Sequence, residues 1–447
     1  MSGTLIREVL SQRAGLLGVV LLLILVTASV ITPTIYGEYY SLWKDTDYWA
    51  IYPKAVPPSW INYFSSQKLP ETEVIGPSNV TSSKVYGVAK KVTLVFSIDY
   101  HYDVPPQDLL LKLNSSYQSP PAVVLIVKRP DGTAIKLLQT SASQLQEIIS
   151  INTLDLVKNS LYSWLLEKGA NVTSPSAIIP SEVIFKELDG NRVLKGKYEF
   201  VIEAIGIGNF TLDCEMILEG KVYGLLGTDV FGRDLFIYLA LGLPYGMLVG
   251  ILSSLIASLI GTIYGLVSGY FGGITDKVMQ RVLETWYSIP ALPLLIMAAI
   301  VFKPSIWLII VFISIFAWMG VAKVIRSMTL QVKNSTFVIA ARASGATNKW
   351  IMFKHILPQL LPYTMAQVAL GVPGAIITEL SLDFLGLGDP NVPTWGWILH
   401  DANVYGAAVN GYWWWIAPPG LMAAILGLTF ALIGYAMDVV LNPRLRE

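Results

Sequence analysis

The sequence has one cysteine, Cys214, and three histidines, His101, His355 and His400. A lone cysteine excludes an intrachain disulfide and any cysteine-rich metal knuckle. The histidines are too far apart in the chain to make a ligand pair at motif spacing, so no metal site is expected. Net charge is zero and no long basic run occurs, which removes the electrostatic basis for nucleic-acid binding. No G-x-x-x-x-G-K-[ST] loop is present to cradle ATP phosphates, nor a G-x-S-x-G elbow or a metalloprotease helix. Charge itself is scarce. Asp, Glu, Lys and Arg make up 14% of the chain, against about 25% in an ordinary soluble protein. These absences argue against a soluble enzyme and leave the chain with no catalytic residues and no cofactor of its own.

What is present is apolar. Hydrophobic residues are 53% of 447, and the mean hydropathy is +0.56. Charge is also unevenly spread, since residues 36–226 hold 37 of the 62 charged side chains. A soluble-like block is therefore embedded in a membrane-like chain. The first apolar stretch, Leu16–Ile31, follows Arg7 and Arg13; no small-x-small cleavage site comes after it, so it reads as an uncleaved helix rather than a signal peptide. Further apolar stretches lie near 244–268, 286–302, 304–322, 360–382 and 413–440, with Pro290 and Pro293 shortening the third helix. The reading is mainly α, with six transmembrane spans.

Residues 323–355 carry Lys323, Arg326, Lys333, Arg342, Lys349 and Lys354 without one acid, whereas Ile356–Pro443 has no Lys or Arg. Such a loop stays in the cytoplasm. Counting spans outward puts the N-terminus, with Arg7 and Arg13, and the C-terminus, with Arg444 and Arg446, on the same side. The expected organisation is an N-terminal segment and helix over 1–35, an extracytoplasmic domain over 36–226, and a helical domain over 227–447 with a cytoplasmic loop at 323–358. The place is the plasma membrane, crossed several times and surrounded by lipid.

The outer block is expected to be mainly β and sandwich-like, inserted between the first and second spans. Runs at 92–98 and 122–128 suit strands, Pro130-Asp131-Gly132 suits a hairpin turn, and a further pair falls at 197–205 and 209–218. Ser143–Lys168 has helical spacing and stops at Gly169. Four sequons, at Asn79, Asn114, Asn171 and Asn209, suit glycosylation of a surface domain, and a fifth at Asn334 falls in the basic loop. Sequons also arise by chance in Asn- and Ser-rich sequence.

Residues 338–358 read VIAARASGATNKWIMFKHILP. Alanines favour a helix that Gly345 can end in the left-handed conformation. Thr347 or Asn348 can cap a second short helix running to Ile356, before Pro358. The order Ala340-Ala341, Gly345, Ile356-Leu357-Pro358 resembles the EAA loop of ABC importer permeases. Gly227-Thr228-Asp229, Gly232-Arg233-Asp234, Tyr270-Phe271-Gly272-Gly273, Phe384–Gly388, Trp395-Gly396 and Asn442–Arg446 resemble the C-type permease of oligopeptide and dipeptide importers. The resemblance covers the first helix and 225–447. It implies a pore-forming subunit paired with a second permease, two ATP-binding cassette subunits that bind and hydrolyse the ATP, and an extracytoplasmic solute-binding protein. Residues Ala340, Ala341, Gly345, Ile356, Leu357 and Pro358 would then form the contact with the ATPase. Two features depart from the family: Ile339 stands where it has a glutamate, and the 36–226 segment is much longer than usual. Peptides are the implied solute, with oligosaccharides as the alternative.

Glu379 and Asp383 lie four residues apart on one helical face, a candidate translocation path or gate. Solvated interfacial acids are the plainer reading. Glycines 246, 250, 261, 265 and 269 recur at near-helical spacing, suiting helices that slide or simply pack closely. Trp413–Trp415 reads as an interfacial anchor. Two rival classes remain at this level. A glycosylated membrane-anchored receptor leaves the later spans and the basic loop without a role. A membrane-embedded enzyme lacks a clustered catalytic set.

Overall fold

The computed structural model describes residues 2–85, 89–144, 147–188 and 192–441. The terminal Asn442–Arg446 motif, with the arginines used in the orientation argument, lies outside the described residues. The chain divides into two units, one of Met1–Trp43 with Ile237–Glu447 and one of Lys44–Phe236.

The first unit begins with α1 (Ser2–Ser11) and α2 (Arg13–Ile35). α2 is apolar around its circumference, as a helix facing lipid must be. Its two buried glycines meet α15 (Trp413–Leu441). A β-carbon on Gly18 would lie 2.8 Å from Ile433, and one on Gly15 2.9 Å from the β-carbon of Ala436. A short α3 (Tyr39–Leu42) ends at Trp43, whose ring lies 5.3 Å from that of Tyr238.

The second unit opens with α4 (Thr46–Trp49), capped by the Asp45 carboxylate. Its strands are β1 (Glu73–Ile75), β2 (Asn79–Val85), β3 (Ala89–Tyr100), β4 (Asp108–Tyr117), β5 (Ala122–Lys128), β6 (Ala134–Ser141), β7 (Ile148–Ser150), β8 (Gly196–Ile207) and β9 (Phe210–Glu219), with α5 (Asp155–Glu167) and α6 (Pro180–Phe185) between β7 and β8. They form two antiparallel sheets, ordered β1-β9-β4-β7 and β2-β3-β8-β5-β6. One face of each sheet supplies alternate residues to a single core, including Phe96, Leu111, Leu125, Phe200 and Met216. That is a sandwich. The Pro130–Gly132 hairpin forms, with Gly132 at φ +81°.

Two expectations fail here. The 197–205 and 209–218 runs are strands but not partners: β8 joins the five-stranded sheet and β9 the four-stranded one. Gly208, at φ +84°, turns the chain from one sheet into the other. The helix expected from Ser143 starts only at Asp155, because Ile148 and Ile149 pair with Lys112 and Leu111 as a strand. The local Leu/Ile spacing fits either period, and pairing with β4 decides it. The Gly227–Asp234 segment packs within this unit. Thr228 Oγ1 donates to the Pro53 carbonyl at 2.7 Å, and Arg233 Nε donates to Asp229 Oδ2 at 2.5 Å.

The helical unit resumes with α7 (Leu235–Phe271), α8 (Gly273–Tyr287), α9 (Ala291–Val301), α10 (Ile306–Val332), α11 (Thr336–Ala343), α12 (Asn348–Trp350), α13 (Leu357–Phe384), α14 (Trp395–Val404) and α15. Among the described residues, five helices are long and apolar enough to cross a membrane. A sixth crossing needs α8 and α9 counted together, although they meet at 74°. Eleven residues of α9 rise about 17 Å, too short alone for a core of roughly 30 Å. Pro290 is its N-cap and sets that break. Of the three tryptophans expected at the interface, Trp413 is exposed while Trp414 and Trp415 are buried in packing.

Candidate functional site

The basic loop folds as a knuckle on the helical unit. α11 ends as expected at Gly345, which takes φ +83° and has nothing within 4 Å of where a β-carbon would sit. Thr347 is the cap, its Oγ1 accepting from the Trp350 amide at 3.4 Å. The second helix does not stop before Pro358. It widens into a π-helical turn over Ile351–Ile356 and runs straight into α13. A proline inside an α-helix removes one amide and strikes the carbonyl four residues back; the wider turn relieves both.

The knuckle's inner side is apolar. Val338, Ile351, Met352 and Ile356 are buried against Leu266, Ile325 and Leu360. Tyr270 donates its hydroxyl to Asn348 Oδ1 at 2.8 Å, and Lys333 donates to the Gly269 carbonyl at 2.7 Å. The outer side exposes Phe337, Ile339, Trp350 and Phe353 together with Ala340 and Gly345. Of the six expected contact residues, Ala340, Gly345 and Pro358 are therefore exposed, Ala341 and Leu357 are half-buried, and Ile356 is buried.

Close helix contacts hold the knuckle's base. A β-carbon on Gly261, Gly265 or Gly269 would lie 2.6, 2.5 or 2.8 Å from a backbone carbonyl of α10. Gly250 instead faces Val372 and Ile376 of α13, and Gly246 faces Trp395. The glycine series thus serves three neighbours. Spacing gave no sign of one further tie, since its members are 50 residues apart: Arg326 on α10 grips Asp276 on α8 by two bonds of 2.6 and 2.5 Å, with Ser268 of α7 donating to the same carboxylate at 2.5 Å.

Between α7, α10 and α13 lies a cavity of about 490 Å³. α13 contributes Gln367, Gly371, Gly374 and Thr378, one helical face, and α7 contributes Ser254 and Ser258. Glu379 and Asp383 are on one face as expected, but they are buried and do not line this cavity. Asp383 Oδ2 accepts from Thr394 Oγ1, the N-cap of α14. β-Carbons on Gly388 or Gly396 would overlap the same carboxyl. The pair sits where α14 folds back onto α13, and Trp395 ties α14 to α7 by donating to the Leu239 carbonyl at 2.8 Å. Glu379 Oε1 and Asp383 Oδ1 have no hydrogen-bond partner among the described residues.

All four sequon asparagines, Asn79, Asn114, Asn171 and Asn209, are exposed on the β-rich unit.

Residues 261–447 match a family described as the binding-protein-dependent transport system inner membrane component. The dipeptide transport system permease protein DppC of Bacillus subtilis is 35% identical over 222 residues, 49% of this chain and 69% of the relative. The oligopeptide transport system permease proteins OppC of Bacillus subtilis and Haemophilus influenzae are 32% and 38% identical, each covered over 72% of its length. Among solved structures, an inward-facing MetNI methionine ABC transporter aligns with 48% of this chain and 100% of its own, at 18% identity and a TM-score of 0.38. The aligned share of this chain is about half. With over two thirds of those permeases matched above 30% identity, the chain belongs to the inner-membrane permease components of binding-protein-dependent ABC importers, a transport subunit whose ATPase is a separate polypeptide.

Proposed function

We propose that this subunit forms half of a translocation pathway for dipeptides or oligopeptides. Uptake would be driven through the Thr336–Ile356 knuckle by an ATP-binding cassette subunit. The carrying observation is the knuckle itself, with apolar and cationic side chains outside and a core joined to α7 and α10 inside. A push on it reaches α7 and α10, two of the helices that line the cavity, and passes directly into α13. Glycines 261, 265 and 269 let α7 and α10 touch backbone to backbone, so a displacement of one moves the other. Gln367, Gly371 and Thr378 then face the solute, while Glu379 and Asp383 hold α14 closed over α13. In this reading the chain crosses the plasma membrane six times, α8 and α9 sharing one crossing. Both termini and the knuckle are cytoplasmic, and residues 36–226 lie outside, where the four sequons can be glycosylated. A second permease, two ATPase subunits and a solute-binding protein complete the assembly. The chain itself needs no cofactor. The peptide assignment rests on the named activity of the similar permeases.

Gly345→Asp tests the reading. A side chain at φ +83° strains the knuckle, and the carboxylate opposes its cationic surface. Co-purification with the ATPase subunit should fall by at least tenfold while membrane expression stays normal. Full co-purification together with normal peptide uptake would refute the coupling role.

A further inference from the structure

The β-rich unit carries a cleft that has no part in the coupling proposed above. Its volume is about 980 Å³, at the upper end of the roughly 300–1,000 Å³ of small-molecule sites. Asp47, Asp108, Glu147, Asp155 and Glu219 line it, against one lysine, Lys54. Acidity alone would describe a solvated surface. The unequal treatment of two of these carboxylates is what marks the cleft.

Asp108 and Glu219 stand directly across from each other where β4 pairs with β9, an arrangement that disfavours like charges. Asp108 is fully engaged. Its Oδ1 accepts from the Leu109 and Asn152 amides at 2.7 and 3.0 Å, and its Oδ2 accepts from Ser150 Oγ. Glu219 is only 6% exposed, yet among the described residues its carboxylate accepts no hydrogen bond and pairs with no cation. Gln107 spends its amide nitrogen on the Lys54 carbonyl at 2.8 Å, leaving a buried Oε1 without a donor. Glu219 thus lines the cleft without a donor and can carry charge, while Gln107 Oε1 is sealed behind it. The Glu219 carboxylate opens onto the cleft, so a ligand there can supply its donors.

A divalent metal fits poorly, because no group of three or more His, Cys, Asp or Glu could hold one among the described residues. An ammonium, with three donors and one positive charge, fits the unpaired carboxylate. We infer that this cleft binds a primary ammonium group, with Glu219 as its counter-charge. The ammonium can come from a free main-chain amine or from a lysine side chain.

Burial, reinforced by Asp108 and opposed by Lys54, pushes the Glu219 carboxyl up to about 8. Asp47, Glu147 and Asp155 also face the cleft and lie at exposed positions. The carboxyl is therefore neutral at pH 6 and half ionised near pH 8, so amine affinity should rise over that interval. The test is isothermal titration of the purified full chain in detergent with pentylammonium. Binding should be at least tenfold tighter at pH 8 than at pH 6, and pentanol should not bind. Glu219→Gln keeps the shape of the neutral acid and should weaken binding at least tenfold at pH 8. Lys54→Ala, at an exposed position, should tighten it severalfold at pH 9.5, where Glu219 is ionised with or without that lysine, and covers the case in which the Glu219 variant does not fold. Unchanged binding in either folded variant, equal binding of pentanol, or displacement by equimolar calcium would overturn the site. Nα-acetyl-lysine amide and alanine amide separate the sources. Whichever binds more tightly at pH 7.5 identifies a lysine side chain or a main-chain amine, and binding of neither refutes the assignment.

Discussion

At the scale of single residues, glycines show how the same substitution can have opposite signs. Gly265 faces the Ala322 carbonyl so closely that an added methyl must push α7 from α10. Gly320, on the same α10, has nothing within 4 Å of its β-carbon position. Gly265→Ala should cost about 1–3 kcal/mol, the usual range for overpacking. Gly320→Ala should be neutral or gain up to about 1 kcal/mol from helix propensity. Thermal denaturation of the purified chain in detergent checks both, and equal melting shifts would contradict the packing account. The sequence displayed the glycine periodicity plainly. It could not say that positions 246 and 250 face α14 and α13 while 261, 265 and 269 face α10, since that depends on which helices lie alongside. Asp276 and Arg326 were illegible for the same reason: nothing local links residues 50 apart.

Elements tell a similar story. Long apolar helices, the hairpin at Gly132 and the knuckle's Gly345 and Thr347 signals all follow from local stereochemistry and could be read directly. β4 was missed because its leucine-rich start, Leu109–Leu111, carries little strand propensity, and it is a strand through its pairing with β9 and β7. Glu379 and Asp383 were placed on one face correctly, but their burial beneath α14 depends on a chain reversal that spacing does not encode. The π-helical turn before Pro358 was equally invisible, being a compromise between proline and a helix that tertiary packing continues. Pro358→Ala removes the reason for that turn. It should let Ile351–Ile356 tighten into a regular α-helix and rotate the exposed face carrying Trp350 and Phe353. Peptide-stimulated ATP hydrolysis by the assembled transporter should fall severalfold with subunit association largely kept. Unaltered stimulation would mean that the turn has no part in coupling.

For the whole molecule, each of the two units has a core of its own, and their stabilities should be separable. Phe200 is fully buried between the two sheets of the β-rich unit. Phe200→Ala should remove about 3–5 kcal/mol from that unit alone. Differential scanning calorimetry of the full chain should show two transitions, of which only one moves in this variant. A joint shift of both would mean a single cooperative unit.

The ring contact between Trp43 and Tyr238 has a corollary for how such a protein can be assembled and altered. The polypeptide departs from the helical unit and comes back to it through neighbouring points, so nearly two hundred residues hang from a gap that a handful could bridge. Natural variation can lengthen, trim or exchange the appendage there without re-threading a single membrane helix.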